Sequence, residues 1–484
     1  MHKQPLHNWE AWQSYCKDIP SPQSFIDWNF YFLIAASLQR RVWIGDESHQ
    51  PLYPNIFVTL VGPPSAGKGI SISPTNDALN HWKLPPPNTK GIIAPQKSKD
   101  EDISPEEMDK QGQIEAILMG DKELEEKFER NKKKRNEQVR LLIPMGANAT
   151  TFESLTETIA GNPRYINYKK YDKLGKESIG VYSHCSLAIV LTDLFSLFKK
   201  QAENIVNLIT DLYDCKPYSY KTKHCGMDYI QKGCINMLAG TTFSYMEQVF
   251  SDRILNEGYA SRSFFLVETK PRFHRWDFGQ LSEEQKQARQ RILNYVKSLT
   301  TLYGEVKFSP EANEYLRHWW EDKHDEVYVN RDIRLEYYYG RKNIHVKKMA
   351  MVLHFSENQF INGVDGLARM EISLGTTIRT LEVLAAAEVN MHNALSFSSS
   401  NPLAKPRRKL LRVLLDKGQM TYQDICVEMW DYMESADPAK ALKDLLIYME
   451  GTEQLESFEN PKLELRRKGL VYKIREHKQG EDKG

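Results

Sequence analysis

The chain has 484 residues, with 65 Lys and Arg against 64 Asp and Glu for a formal net charge of +1, 41% hydrophobic residues and 6 cysteines. At roughly 150 residues per domain this is enough sequence for about three domains and a large core. The balanced charge excludes a uniformly basic nucleic-acid coat, so any contact with phosphates must be local.

Met1 to Glu10 carry no basic leader followed by an apolar core and a small-residue cleavage site, so the expected location is intracellular, in the cytoplasm. From Trp9 to Ile44 the aromatics Trp9, Trp12, Tyr15, Phe25, Trp28, Tyr31 and Phe32 recur at helical steps, broken at Ile19-Pro20-Ser21-Pro22. This predicts two packed helices in an N-terminal region 1–50, with the rings as core. The longest apolar run, Phe30 to Leu38, falls well short of the ~20 residues that span hydrocarbon, so no membrane is expected as a partner.

Asn55 to Val61 is a short β-branched run between Pro54 and Gly62, as in a strand buried on both faces, and it opens a parallel α/β core over 51–270. Dense charge of both signs from Lys97 interrupts that core and predicts an inserted helical arm over 97–145. Strand signals resume at Ser186 to Leu191, Cys234 to Ala239 and Phe264 to Val267, alternating with helical stretches. A helical subdomain, 271–400, follows, with helices expected over Ser282 to Leu302, Pro310 to Tyr328, Asn343 to Ser356 and Ile372 to Ala394. After a Ser- and Pro-rich linker, 401–484 shows three short helical patterns and a hairpin pattern from Leu455 to Ile474, which together suggest a winged helix.

Cys16, Cys185, Cys215, Cys225, Cys234 and Cys426 are sparse, and Cys215, His224, Cys225 and Cys234 lack the close paired spacing of zinc ligands. Buried or neutral reduced thiols are the better reading of them.

The chemistry concentrates at Gly62, Pro63, Pro64, Ser65, Ala66, Gly67, Lys68, Gly69 and Ile70, a Gly-x-x-x-x-Gly-Lys pattern between a predicted strand and a helical stretch. Such a loop closes backbone N–H groups around phosphates at a helix N-terminus, and Lys68 reaches the β- and γ-phosphates of a nucleotide. Gly69 stands where a magnesium-binding Ser or Thr is expected, which leaves Ser71 as a displaced candidate. A second buried strand runs Leu187 to Leu191 into Thr192 and Asp193, making Asp193 a candidate for Mg²⁺ or, alternatively, for a helix cap. The next position, where an activating glutamate is common, is Leu194; Asp211 and Asp214 are acids that could substitute, although a solvated helix end is the better reading of both. Thr241 or Thr242, at the end of a third strand, could orient the attacking water. Arg262, ahead of the last strand, is a candidate arginine finger or, alternatively, a structural salt bridge, and Arg341 is a second arginine candidate. Between Asp193 and Gly240 the alternation over Tyr218 to Ile230 predicts a hairpin whose Lys221, Lys223 and His224 are candidates for DNA contact; a plain surface hairpin fits equally.

Taken together, Arg40-Arg41-Val42-Trp43, Leu52-Tyr53-Pro54-Asn55, Val61-Gly62-Pro63-Pro64, Thr192-Asp193, Gly240-Thr241-Thr242, Ala260-Ser261-Arg262 and His345-Val346-Lys347-Lys348-Met349-Ala350 resemble a family of phage and plasmid replication ATPases of the AAA+ type, the primase-associated helicase-like proteins. The resemblance runs from about Trp9 to Ala394. It implies an ATP- and Mg²⁺-dependent ring, often hexameric, that acts as a helicase or translocase on single-stranded DNA in a bacterial host, beside proteins such as a primase or a single-strand-binding protein. It carries Lys68, Asp193, Thr241 and Arg262 over to nucleotide roles. The alternative is a nucleotide-gated, weakly hydrolysing scaffold such as a helicase loader or origin-binding protein, which Gly69 and Leu194 favour.

Overall fold

A computed structural model describes residues 8–45, 51–84, 141–147, 151–171, 177–198, 202–222, 226–230, 232–249, 258–277, 279–321, 335–357, 370–391, 394, 404–432, 437–452, 454–459 and 470–474. The chain divides into two compact units, Met1–Leu395 and Ser396–Gly484. Among the described residues no helix is long and apolar enough to cross a membrane.

The N-terminal aromatics form α1 (Asn8–Tyr15) and α2 (Gln23–Leu38), parted at the expected proline turn. Their rings make the contact: Trp9 stacks on Tyr31 at 5.6 Å, Trp12 stacks on Phe30 at 5.4 Å, and Trp12 Nε1 donates to the Ile26 carbonyl at 2.9 Å. Helix α2 is buried on nearly every face, as its almost unbroken apolar sequence requires.

A short strand, β1 (Val42–Trp43), leads to β2 (Phe57–Val61), which is wholly buried, and from there through the glycine-rich loop to α3 (Lys68–His81). Next come α4 (Phe152–Ala160), capped by Thr151, then the long antiparallel pair β3 (Arg164–Tyr171) and β4 (Glu177–Leu191). Helices α5 (Phe195–Phe198) and α6 (Ala202–Tyr213) precede the hairpin β5 (Tyr218–Thr222) and β6 (Gly226–Ile230), and β7 (Gly233–Thr241), α7 (Phe243–Val249) and β8 (Ser263–Val267) complete the core.

The central sheet has the order β3-β4-β7-β2-β8. Strands β4, β7, β2 and β8 are parallel, but β3 runs antiparallel to β4, so the sheet is mixed rather than the parallel one expected. Physically, residues 172–176 are too short a link for a parallel crossover, which takes a dozen residues or more. Because the other strands are parallel, their carboxyl ends share one edge, where parallel sheets place ligands.

Beyond the sheet, α8 (Glu283–Leu299) starts at Ser282 with a full capping box through Gln285. It is followed by β9 (Gly304–Glu305), β10 (Lys307–Phe308), α9 (Pro310–Glu321), α10 (Glu336–Tyr339), α11 (Lys342–Glu357), β11 (Glu371–Ile372) and α12 (Leu374–Glu388). Ile372, expected to open the last of these helices, lies instead in β11, because Ser373 takes the cap and accepts from Thr376 N. Of the expected helix Pro310 to Tyr328, 322–328 lie outside the described residues, as do 97–140 of the charged arm.

The second unit contains α13 (Ala404–Lys417), β12 (Gln419–Thr421), α14 (Tyr422–Met429), α15 (Pro438–Gly451), β13 (Leu455–Glu459) and β14 (Leu470–Ile474). Strands β13 and β14 pair antiparallel in the register expected of a hairpin, and β12 adds to β14 as a third strand. Leu410, Leu414, Ile425, Met429, Leu445 and Met449 close a core that belongs to this unit alone.

Candidate functional site

The site begins where β2 ends. Val61 pairs with Thr241 of β7 on one side and Val267 of β8 on the other, and the chain then turns out of the sheet at Gly62. A Cβ at Gly62 would stand 2.3 Å from the Glu268 carbonyl oxygen, so the loop can leave the sheet here only as glycine. Pro64–Ala66 form a single 3₁₀ turn, and Gly67 takes φ +77° to deliver the chain into α3. Ser21, in the turn between α1 and α2, donates from Oγ to the Gly67 carbonyl at 2.7 Å and braces the loop from outside. The loop thus ends at the N-terminus of α3, where a helix favours anions.

Lys68 folds back over this loop, its Nζ donating to the carbonyls of Gly62 and Pro63 at 2.7 Å each. Burial lowers its pKa, and the charge of Asp193 opposes that shift. Lys68, Gly69 and Pro64 line a cleft of about 360 Å³ together with Thr192, Asp193, Thr241, Thr242 and Tyr245. The carboxyl ends of three adjacent strands, β2, β7 and β4, thus supply the lysine, the hydroxyls and the acid. Among the described residues Asp193 is the one carboxylate that lines the cleft.

Thr241 is buried, and its Oγ1 has no hydrogen-bond partner among the described residues. A buried hydroxyl left so is costly unless something entering the cleft meets it. Thr242 lies one residue on, and its Oγ1 accepts from Tyr245 N at 3.3 Å, starting α7.

Leu194 turns away from the cleft. Its side chain is fully buried, and its N–H donates to the Gly240 carbonyl at 2.8 Å, tying the ends of β4 and β7 together. Ser71 is also turned away: it is fully buried on α3, its Oγ donates to the Lys68 carbonyl at 2.7 Å, and it does not line the cleft. Its hydroxyl is spent on its own helix, and its backbone is held by the second helix, where Asn29 Nδ2 donates to the Ser71 carbonyl at 2.7 Å.

Neither arginine candidate reaches this cleft. Arg262 immediately precedes Ser263, which pairs with Phe57 at the start of β2, so it lies at the opposite edge of the sheet from the loop. There its Nη2 meets Asp214 Oδ2 at 2.7 Å, and Arg341 Nη2 meets Asp214 Oδ1 at 2.5 Å. Asp214 is therefore an anchor for two cations and not a substitute acid in the cleft; Asp211 pairs with Lys216 at 3.5 Å. Lys221 sits on β5 opposite Met227, while Lys223 and His224 lie outside the described residues.

Cys215 and Cys234 share a buried cluster with Trp43 and Tyr53, and Cys16 and Cys185 are buried as well. Among the described residues no group of three metal-ligating side chains occurs, and His224 and Cys225 lie outside them. Sequence reasoning missed Thr192 and Tyr245. Tyr245 carried one usable signal, its position in the first turn of the helix that follows Thr241 and Thr242.

In comparison with known proteins, no family model matches the chain and no curated protein matches it in sequence. Its functional reading rests on the geometry of the cleft.

Proposed function

We propose that this chain is a nucleoside-triphosphate-binding ATPase of the AAA+ type that assembles as a ring, a hexamer in the form the family resemblance implies, and acts as a helicase or translocase on single-stranded DNA. The observation that carries the nucleotide reading is that Lys68, Asp193 and Thr241, widely spaced in sequence, line one cleft at the loop end of the sheet. Anionic phosphates suit the helix N-terminus and Lys68, and a terminal phosphate or its attacking water suits the buried, unpartnered Thr241 hydroxyl.

Mg²⁺ fits this donor set as an ion held by Asp193 and by the nucleotide's own phosphates with several waters retained, the usual manner for this metal. When bound it would neutralise charge on the phosphates. Ser71, interior to its helix, is not among its ligands on this reading.

The reading also gives Arg262 and Arg341 a place. At the edge of the sheet opposite the loop, they serve a nucleotide held by a neighbouring copy rather than their own. Three helices and a three-stranded antiparallel sheet in Ser396–Gly484 support a winged helix as the second unit. A second reading, a nucleotide-gated scaffold that turns over slowly, is favoured by one observation: the position after Asp193 is a core leucine, and among the described residues no second carboxylate lines the cleft.

Steady-state ATP turnover with and without single-stranded DNA, beside equilibrium ATP binding, separates these readings. DNA-stimulated turnover lost in Lys68→Ala supports the motor. Tight binding without turnover supports the scaffold. ATP binding that survives unchanged in Lys68→Ala removes the cleft from both.

A further inference from the structure

With Leu194 in the core, the cleft still contains a group that nothing above has used. Tyr245 lines it beside Lys68, Asp193 and Thr241, and the residue is 8% exposed. Its backbone is fixed at the first turn of α7, where Tyr245 N donates to Thr242 Oγ1 at 3.3 Å and Met246 N donates to the Thr242 carbonyl at 3.0 Å. The strand that presents Thr241 therefore also sets where the phenol stands.

We infer that Tyr245 is the terminal-phosphate donor of the turnover step: its hydroxyl hydrogen-bonds a γ-phosphate oxygen as the bond to the β-phosphate opens. This rests on the nucleotide reading of the cleft. The unpartnered Thr241 hydroxyl is independent support, since it marks the same wall of the cleft as a place where a polar ligand group is missing.

The chemistry asks for a neutral donor at this point. A tyrosine phenol ionises only at about pH 10, so it keeps its proton and donates at neutral pH. It takes no proton. In the step, a water oxygen bonds to the γ-phosphorus, the bridging P–O bond breaks with its electron pair leaving on the diphosphate, and the water proton departs on the released phosphate. Tyr245 and Thr241 stabilise the charge that builds on the phosphoryl oxygens in the transition state, as preorganised donors do.

The test uses the full chain and Tyr245→Phe, which keeps the ring and removes the hydroxyl. Turnover is expected to fall about 10²-fold, the usual effect of losing one such donor. ATP and ADP affinities should stay within about twofold, since the contact is made in the transition state. Binding of ADP with aluminium fluoride, which imitates the phosphoryl group in transit, should weaken by a factor similar to the turnover loss. A thermal melt confirms that the variant is folded.

Unchanged turnover in Tyr245→Phe overturns the inference, and so does a parallel loss of ATP affinity and turnover, which would make the hydroxyl a binding or packing group. Wild-type protein that binds ATP but does not hydrolyse it overturns the inference while leaving the scaffold reading intact. Wild-type protein that does not bind ATP removes the nucleotide reading itself.

Discussion

Asp214 and Arg262 are joined by an ion pair of 2.7 Å, and the second oxygen of that carboxylate takes Arg341 from the start of α11. The residue just after α6, the turn before β8 and the helical region beyond the sheet are thereby tied at one point. Burial disfavours ionisation of Asp214, but the hydrogen bond and charge of Arg262, then Arg341 and Lys348, outweigh it and hold the carboxyl below its ordinary value.

Asp214→Asn should lower stability by about 3 kcal/mol, because it strands two partly buried guanidinium groups. Urea unfolding measures this. The carboxyl is depressed in the folded state, so its contribution is complete above the unfolded value of about 3.9 and is lost as pH falls below it. The difference between wild type and Asp214→Asn should therefore narrow only in strong acid; a difference that already vanishes near neutrality would refute the assignment.

Gly67→Ala should destabilise the chain by about 1–2 kcal/mol and reduce nucleotide binding. Its φ of +77° is costly for any L side chain, and the added Cβ would lie 2.8 Å from Ser21 Oγ. Melting temperature and ATP affinity are the two readouts, and a variant that is unaffected in both would mean that the loop adopts another backbone.

His345 on α11 is fully buried, its Nε2 donating to the Ser261 carbonyl at 3.0 Å and its ring stacked on Tyr338 at 4.6 Å. Burial, then the charge of Arg341, lowers its pKa to about 3. The unfolded chain takes up the proton below about pH 6.5 and the native chain does not, so stability falls with acidification by up to about 1.4 kcal/mol per pH unit. His184 and His354 are lowered by burial too and add to the slope, so between about pH 7 and pH 5 His345→Gln should lessen it by up to that amount without abolishing it, as urea midpoints would show.

Lys348 is buried one turn further along, its Nζ reaching the Tyr53 carbonyl at 3.1 Å, Asn55 Oδ1 at 2.6 Å and the Tyr213 carbonyl at 3.4 Å. It also lies 4.3 Å from the centre of the Tyr213 ring. Lys348→Met should cost about 3 kcal/mol by leaving buried acceptors unmet, while cleft affinity for nucleotide stays unchanged once the protein is folded. A specific loss of nucleotide affinity without loss of stability would argue for a direct role instead.

Residues 396–484 produced as a separate fragment should unfold cooperatively, since Leu410, Ile425, Leu445 and Met449 form a core without help from the first unit. A fragment without a cooperative melt would show that the first unit is needed.

The glycine loop was legible because its geometry is local. Two glycines, a lysine and a preceding apolar strand dictate a turn, a positive φ and a helix start within about ten residues, and Lys68 is found where that pattern puts it. The N-terminal helices were legible for a similar reason, with the rings of Trp9, Trp12, Trp28 and Tyr31 recurring at helical spacing and Trp9 meeting Tyr31 across one seam. Less was visible in β3, whose polar, tyrosine-rich sequence has no buried-strand signature because it is an edge strand held by one neighbour.

What the sequence determined by itself was the parts list: a buried strand into a glycine loop, a second strand ending in Asp193, a third ending in Thr241, and a small C-terminal unit with its own core. Only the tertiary structure decided which candidates share a site. Strand order put β7 between β2 and β4 and gathered Lys68, Thr241 and Asp193, with Tyr245 added by the helix that follows. It sent Arg262 and Arg341 to the far edge and Ser71 and Leu194 into the interior. The direction of a side chain and the neighbour of a strand depend on contacts between segments distant in sequence, and a local pattern carries no record of them.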